Sequence, residues 1–215
     1  MTSPNPNVCQ TFNPSSLATL QSHFADLESS KHGEKWDQLW ADGFAPWDRG
    51  RPNPALDDVL AERRDLFGSC FVNESKIGGM RKKALVPGCG IGYDVLLLSA
   101  WGYDAYGLEL SETALKGARA MEEKSRKLNE YRVRDAAAGK GKVVYLTGDF
   151  FKNDFLGLVE GEGTFDVIYD YTVRLILDSL FNHKLTCNSF SVLSLLLLDL
   201  LGPFDILNFL PRLAV

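Results

Sequence analysis

Ala84-Leu-Val-Pro-Gly-Cys-Gly-Ile-Gly-Tyr-Asp94 runs from an apolar strand into three alternating glycines and then into the start of a helix. Gly88, Gly90 and Gly92 have no Cβ, so the backbone can turn tightly there and let a ligand lie against it. The positive end of the following helix faces the same pocket. This is the pattern of a nucleotide-binding turn. A dinucleotide fingerprint, G-x-G-x-x-G, needs its third glycine at position 93, where this chain has Tyr93 followed by Asp94. A bulky ring and a carboxylate suit no pyrophosphate.

Two later stretches sharpen the reading. A second strand, Asp104-Ala-Tyr-Gly-Leu108, delivers Glu109 twenty-one residues after Gly88, the spacing at which a carboxylate bonds ribose hydroxyls. Standing alone, Glu109 would read as a solvated carboxylate at a strand end. A third strand, Val143-Val-Tyr-Leu146, leads into Gly148-Asp149-Phe150-Phe151, an acid and an aromatic placed to meet an adenine edge. Glycine turn, ribose acid and adenine acid together describe S-adenosylmethionine better than NAD.

A chain of 215 residues suits one α/β domain, and its net charge of −5 leaves no basic footprint for nucleic acid. Arg81-Lys-Lys83 and the stretch from Lys124 to Arg134 hold short basic clusters, the latter expected on an exposed helix. Cys9, Cys70, Cys89 and Cys187 share neither metal nor disulfide spacing, which fits reduced thiols. The opening thirty residues show neither a basic start nor an apolar signal core, so a cytoplasmic location is expected.

Upstream, Asn13-Pro14-Ser15-Ser16 starts a helix whose Leu17, Leu20, Phe24 and Leu27 form a packing stripe. A second helix, about Gly33 to Asp42, sets Trp36 and Trp40 four apart, and Trp47 follows in Phe44-Ala-Pro-Trp47-Asp-Arg-Gly50-Arg-Pro. Two readings stand for these rings: a hydrophobic lid over the sheet edge, or a cover for a cofactor.

These pieces form a set: Trp36-x-x-x-Trp40, Ala45-Pro-Trp47-Asp-x-Gly50, Val86-Pro-Gly-Cys-Gly90-x-Gly92-Tyr-Asp94, Gly107-Leu-Glu109-Leu-Ser111, Gly148-Asp149-Phe-Phe151 and Phe165-Asp-Val-Ile-Tyr-Asp170-Tyr171-Thr172. The set resembles the thiopurine methyltransferase family, within it the thiol and halide methyltransferase branch of plants and fungi. The resemblance runs from about Trp36 to Thr172. It implies an α/β fold, the Rossmann-like sheet of class I S-adenosylmethionine-dependent methyltransferases. Strands one to four are recognisable here, and strands five to seven are missing or replaced. Carried over residue by residue, it implies that Trp36, Trp40 and Trp47 wrap the methyl donor and that the turn of Gly88, Gly90 and Gly92 lies beneath it. Glu109 would hold its ribose, in a place where this branch often has Asp. Asp149 with Phe150 would frame the adenine, and Tyr171 would sit beside the methyl group as the catalytic side chain.

The implied reaction is methyl transfer to a small thiol or to an anion such as halide, hydrosulfide or thiocyanate. Such nucleophiles are wholly or partly ionised at neutral pH, so alignment and exclusion of water count for more than a dedicated base. No metal is expected. His23, His32 and His183 read as surface residues, and a monomer with no membrane partner is expected.

By this reading residues 1–30 are an N-terminal helical extension, 31–172 the donor-binding domain and 173–215 a leucine-rich tail foreign to the family. Three origins for the tail stand open: a truncated or read-through coding sequence, one or two helices around Leu175, Leu180 and Leu195 covering the sheet, or a membrane anchor. Against the anchor, Asp199, Pro203 and Asp205 interrupt an apolar run shorter than about 20 residues. Missing strands would leave the fourth as an exposed apolar edge. Two other functions compete: a non-catalytic truncated fragment, and an NAD-dependent oxidoreductase, which Tyr93 and the tryptophans oppose.

Overall fold

A computed structural model describes residues 14–73, 79–161, 163–170 and 193–195. The glycine-turn strand sits at the centre of a parallel sheet. In chain order the strands are β1 (Lys83–Pro87), β2 (Asp104–Glu109), β3 (Val143–Thr147), β4 (Val167–Tyr169) and β5 (Leu193–Leu195), and their spatial order is β3-β2-β1-β4-β5. The order reverses at β1: the chain first builds outward through β2 and β3, then returns to pair β4 on the other side. Such a reversal opens a crevice at the carboxyl ends of the strands, where ligands of Rossmann-like sheets bind. The glycine turn leaves β1 at that end.

Side chains alternate across the sheet with period two. Leu85, Tyr106, Leu108, Leu146 and Ile168 face one side and are covered by Phe155, Val159 and Phe165. On the opposite side Ala84, Val86, Ala105, Val167 and Tyr169 meet Val95, Leu97 and Leu98 of helix α5 (Tyr93–Ala100), with Leu56 and Leu60 of helix α3 (Pro54–Glu62). Both faces are thus covered, as a parallel sheet requires. Gly107 lets helix and sheet approach, since a Cβ there would stand 2.7 Å from Cys89 Sγ and 3.0 Å from Val95.

The N-terminal helices fall where the apolar spacing puts them. Helix α1 spans Pro14–Phe24 and helix α2 spans His32–Ala41. Leu20, Phe24 and Leu39 form a separate buried cluster, with Leu27, Trp36, Phe44 and Trp47 packed against it. The short helix α4 (Arg64–Phe67) follows α3, and helix α6 (Glu112–Ser125) follows β2.

Three expectations change. The run from Lys124 to Arg134 is not an exposed helix. α6 ends at Ser125, and after a 3-10 turn at Asn129–Tyr131 the chain returns inward, with Tyr131 1% exposed. There Arg134 donates to Asp57 of α3 (2.6 and 3.1 Å), which also accepts from Trp101 Nε1 (2.7 Å). Counting charges concealed this, because one buried ring and one paired guanidinium decide the path. Second, four strands become five: tail residues Leu193–Leu195 pair in parallel with Val167–Tyr169, so β4 is not the sheet edge over this stretch. Third, Leu195 therefore belongs to a strand rather than to a covering helix. Leucine has no β-branch to announce a strand, and the surrounding run offers little polar alternation to read. Of the histidines, His23 is half-buried on Phe44, His32 is half-buried on Phe24 with a bond to the Leu27 carbonyl, and His183 lies outside the described residues.

Among the described residues no helix is long and apolar enough to cross a membrane, and no group of three or more His, Cys, Asp or Glu could hold a metal ion.

Candidate functional site

All three glycines of the turn adopt the left-handed backbone that their lack of a Cβ permits: φ is 56° at Gly88, 53° at Gly90 and 78° at Gly92. Hydrogen bonds pin the turn: Cys89 N donates to Leu108 O (3.1 Å), Gly92 N to Cys89 O (2.8 Å) and Gly90 N to Glu109 Oε2 (3.0 Å). Glu109 is 8% exposed. Its Oε1 accepts from Leu110 N (2.8 Å) and Ser111 N (3.0 Å), so the carboxylate stitches the end of β2 to the middle of the turn. Burial raises the Glu109 pKa from its ordinary value, and these three backbone N–H groups oppose that shift. Burial, and then Glu109 itself, push the Cys89 thiol well above its usual range, which keeps it protonated and unreactive at neutral pH.

Above the turn stands the tryptophan helix. Trp40 lies so close over Gly90 that a Cβ there would meet Cζ2 of the ring at 3.1 Å. Trp47 sits edge-on to both Trp40 (5.7 Å between centroids) and Trp36 (5.1 Å). Gly43, at φ 71°, ends α2, and Phe44 N bonds back to Leu39 O (2.9 Å), which turns the chain so that Trp47 packs back on α2. Between lid and turn opens a solvent-accessible cleft.

Of the residues singled out by sequence, Trp40, Trp47, Gly88 and Gly90 line this cleft. Trp36 stands behind them, packed on Phe24 at 4.6 Å. Glu109 lies one layer back, behind Gly90. Gly92 starts α5, and a Cβ on it would meet the Tyr145 hydroxyl at 2.7 Å. Asp149 and Phe150 follow β3. There Asp149 accepts from Phe151 N (3.0 Å) and pairs with Lys152 (3.6 Å), while Phe150 packs on the side of the sheet that carries Leu85, Tyr106 and Leu108. Neither lines the cleft. Tyr171 lies outside the described residues.

Several cleft residues escaped the sequence reading. Arg49, Arg51 and Asn53 belong to the strap that follows Trp47, and Asp94 opens α5. Asn53 N donates to Asp94 Oδ1 (2.7 Å), tying strap to helix, and Asn53 Nδ2 donates to Tyr169 Oη (2.8 Å) at the end of β4. Burial pushes the Asp94 carboxyl up to about 6, against the Asn53 N–H and the Arg49 charge. Asn53-Pro54 is a legible helix start, an N-cap residue before proline at the first helical position, and Asn53 Oδ1 does accept from Ala55 N (3.1 Å). No local pattern discloses the bond to Tyr169, 116 residues away.

Could the cleft take an S-adenosyl group? The turn offers backbone without Cβ atoms, its walls are aromatic, and a fixed carboxylate stands behind Gly90, so the residues fit. The parallel sheet, its order and the glycine turn at the reversal point define a Rossmann-like nucleotide-binding fold. The chain belongs to the thiopurine S-methyltransferase family, whose sequence pattern matches residues 31–183.

Among individual relatives, Thiocyanate methyltransferase 1 of Brassica oleracea is 30% identical over 138 residues, covering 64% of this chain and 47% of that protein. Probable thiol methyltransferase 2 of Arabidopsis thaliana is 29% identical over 157 residues, covering 73% and 55%. The chain thus spans about half the length of the curated relatives it matches. Among solved structures, one described as "Conversion of a Disulfide Bond into a Thioacetal Group during Echinomycin Biosynthesis" is 25% identical with a TM-score of 0.42, covering 69% of this chain and 52% of that one.

Proposed function

We propose that the protein is an S-adenosylmethionine-dependent methyltransferase acting on small thiols or on anions such as thiocyanate, hydrosulfide and halide. The observation that carries the reading is the turn of three left-handed glycines beneath Trp40, with Glu109 bonded to its centre. In this reading Trp36, Trp40 and Trp47 cover the donor, with Trp36 backing the other two. Gly88, Gly90 and Gly92 bed it, and Glu109 accepts from its ribose. Asp149 and Phe150 border the adenine, and Tyr171, two residues beyond β4 in sequence, stands by the methyl group.

When bound, S-adenosylmethionine supplies a methyl carbon already activated by the positive charge on its sulfur. The tryptophan lid excludes water, and the glycine turn fixes orientation. Arg49 and Arg51 place two guanidinium groups on the cleft wall, which supports an anionic or thiolate acceptor. Asp48 and Asp94 on the same wall limit this to a modest local preference. A monomer without nucleic-acid or membrane partners completes the reading. So does a cytoplasmic setting, supported by Cys70 and Cys89 remaining free thiols.

The test has two stages. Thermal unfolding of the chain with S-adenosylhomocysteine at about 100 times its Kd should show close to 3 kcal/mol of added stability, since a ligand specific to the folded state stabilises by mass action. No shift at millimolar ligand would reject the donor site. Methyl transfer to thiocyanate, hydrosulfide, iodide and a small aromatic thiol then separates an active enzyme from a chain that binds the donor without turnover.

A further inference from the structure

Asp37 lies on α2 between the two lid tryptophans, Trp36 and Trp40. Its Oδ1 accepts from Ser111 Oγ (2.7 Å) and from Thr113 N (2.8 Å), both at the start of α6. Ser111 is 0% exposed and caps α6 by accepting from Ala114 N (3.0 Å). Its backbone N–H reaches Glu109 Oε1 (3.0 Å), and Glu109 Oε2 accepts from Gly90 N (3.0 Å) beneath Trp40. The contacts close into a ring that runs from lid ring to glycine turn, carboxylate, capping serine, Asp37 and back into the lid helix. Gly33 on the same helix adds a packing point, because a Cβ there would stand 3.8 Å from Leu110 Cδ2.

We propose that Asp37 is a positioning residue that sets the tryptophan lid in register with Glu109, so that cover and ribose carboxylate reach the donor as one unit. The inference rests on the donor-site reading above. Asp37 and Ser111 lie 74 residues apart, and the helix neighbours of Asp37, Trp36 and Leu39, are held by the apolar cluster of Leu20 and Phe24, whose non-directional contacts permit α2 to slide. The two charge-assisted bonds to Asp37 are directional and fix both its height and its rotation. Without them Trp40 can drift from Gly90 while the glycine turn stays intact.

A double-mutant cycle tests this. S-adenosylhomocysteine affinity is measured calorimetrically for the 215-residue chain, Asp37→Ala, Trp40→Ala and the double variant, with Asp37→Asn as the conservative replacement and each melting temperature recorded. Asp37→Ala should weaken binding about tenfold, but by less than about twofold once Trp40 is already gone, because a positioning group has no effect without the ring it positions. Asp37→Asn, whose amide oxygen still accepts from Ser111 and Thr113, should recover most of the loss. An equal loss in both backgrounds, or none in either, overturns the proposal and leaves the donor site standing. If the parent chain binds no S-adenosylhomocysteine, the donor reading fails by itself. Acrylamide quenching of the ligand-free proteins then decides the lid link: Asp37→Ala should raise quenching only where Trp40 is present, and unchanged quenching overturns it.

Discussion

Replacing Gly92 by alanine puts two separate strains on the start of α5, and their sizes follow from the geometry. Gly92 has φ 78° and ψ 20°, a left-handed conformation that costs an L residue about 1–2 kcal/mol. The new methyl would also stand 2.7, 2.8 and 3.1 Å from Oη, Cε1 and Cζ of Tyr145. The same edge of that ring is already close to β2, with Cδ1 3.0 Å from where Gly107 would carry a Cβ. Overpacking of this kind costs about 1–3 kcal/mol, while the stiffer unfolded chain returns about 0.4–1 kcal/mol. The net loss should be about 1–4.5 kcal/mol. Gly139 is the internal control: its φ is 67°, but a Cβ there meets nothing within 4 Å. Gly139→Ala should therefore show the backbone cost alone, and urea unfolding of both variants should place Gly92→Ala lower by about 1–3 kcal/mol. Agreement of the two variants to within about 0.5 kcal/mol would falsify the claim that Tyr145 is a fixed wall beneath the turn.

Three further outcomes follow from residues near the cleft. Asp94 titrates near 6 when folded against an ordinary 3.8, so the folded chain takes up this proton first. The contribution of Asp94 to stability therefore falls as pH rises from about 4 to about 6. Asp94→Asn should gain on the parent chain across that window, by at most about 3 kcal/mol above pH 7, and parallel pH profiles would contradict this. Asn53→Ala should lose about 2 kcal/mol in urea unfolding, from the α3 cap and the buried bond to Tyr169 together, and Asn53→Ser should restore about half by keeping the cap. Asp57→Ala removes the shared acceptor of Arg134 and Trp101 and should cost about 2–3 kcal/mol, with Asp57→Asn intermediate; a change under about 0.5 kcal/mol would show that the pair is solvated in solution.

What the sequence disclosed was local. Three alternating glycines after an apolar strand carry a backbone requirement no other residue meets, so the turn could be placed to the residue. Trp36 and Trp40 at helical spacing gave the lid, and Asp104–Glu109 gave β2 within one residue. What stayed hidden depends on pairing between distant segments. Asp37 reads as one more acid on a polar helix face until Ser111 is brought to it. Asp94 reads as a carboxylate unsuited to a pyrophosphate until burial and Asn53 define its setting. The family pattern puts Asp149 and Phe150 near an adenine by their position after β3, while the structure shows Asp149 bonding Phe151 N in its own turn and Phe150 packed with Leu146 and Phe155, contacts that no local pattern discloses. Arg134 reads as part of a basic run, although its partner belongs to a helix some seventy residues earlier.

Asn53, whose side chain reaches Tyr169 while its backbone holds Asp94, bears on how the protein is made as well as how it stands. A ribosome releases the lid, the strap and α3 long before β4 leaves the exit tunnel. Until then the strap keeps its tie to Asp94 but lacks the bond to Tyr169, and α3 shows the nascent chain an apolar face with part of its sheet missing. The bond that anchors the strap to β4 therefore forms late in synthesis. Chaperone demand should accordingly concentrate in the interval between the emergence of Leu60 and that of Tyr169.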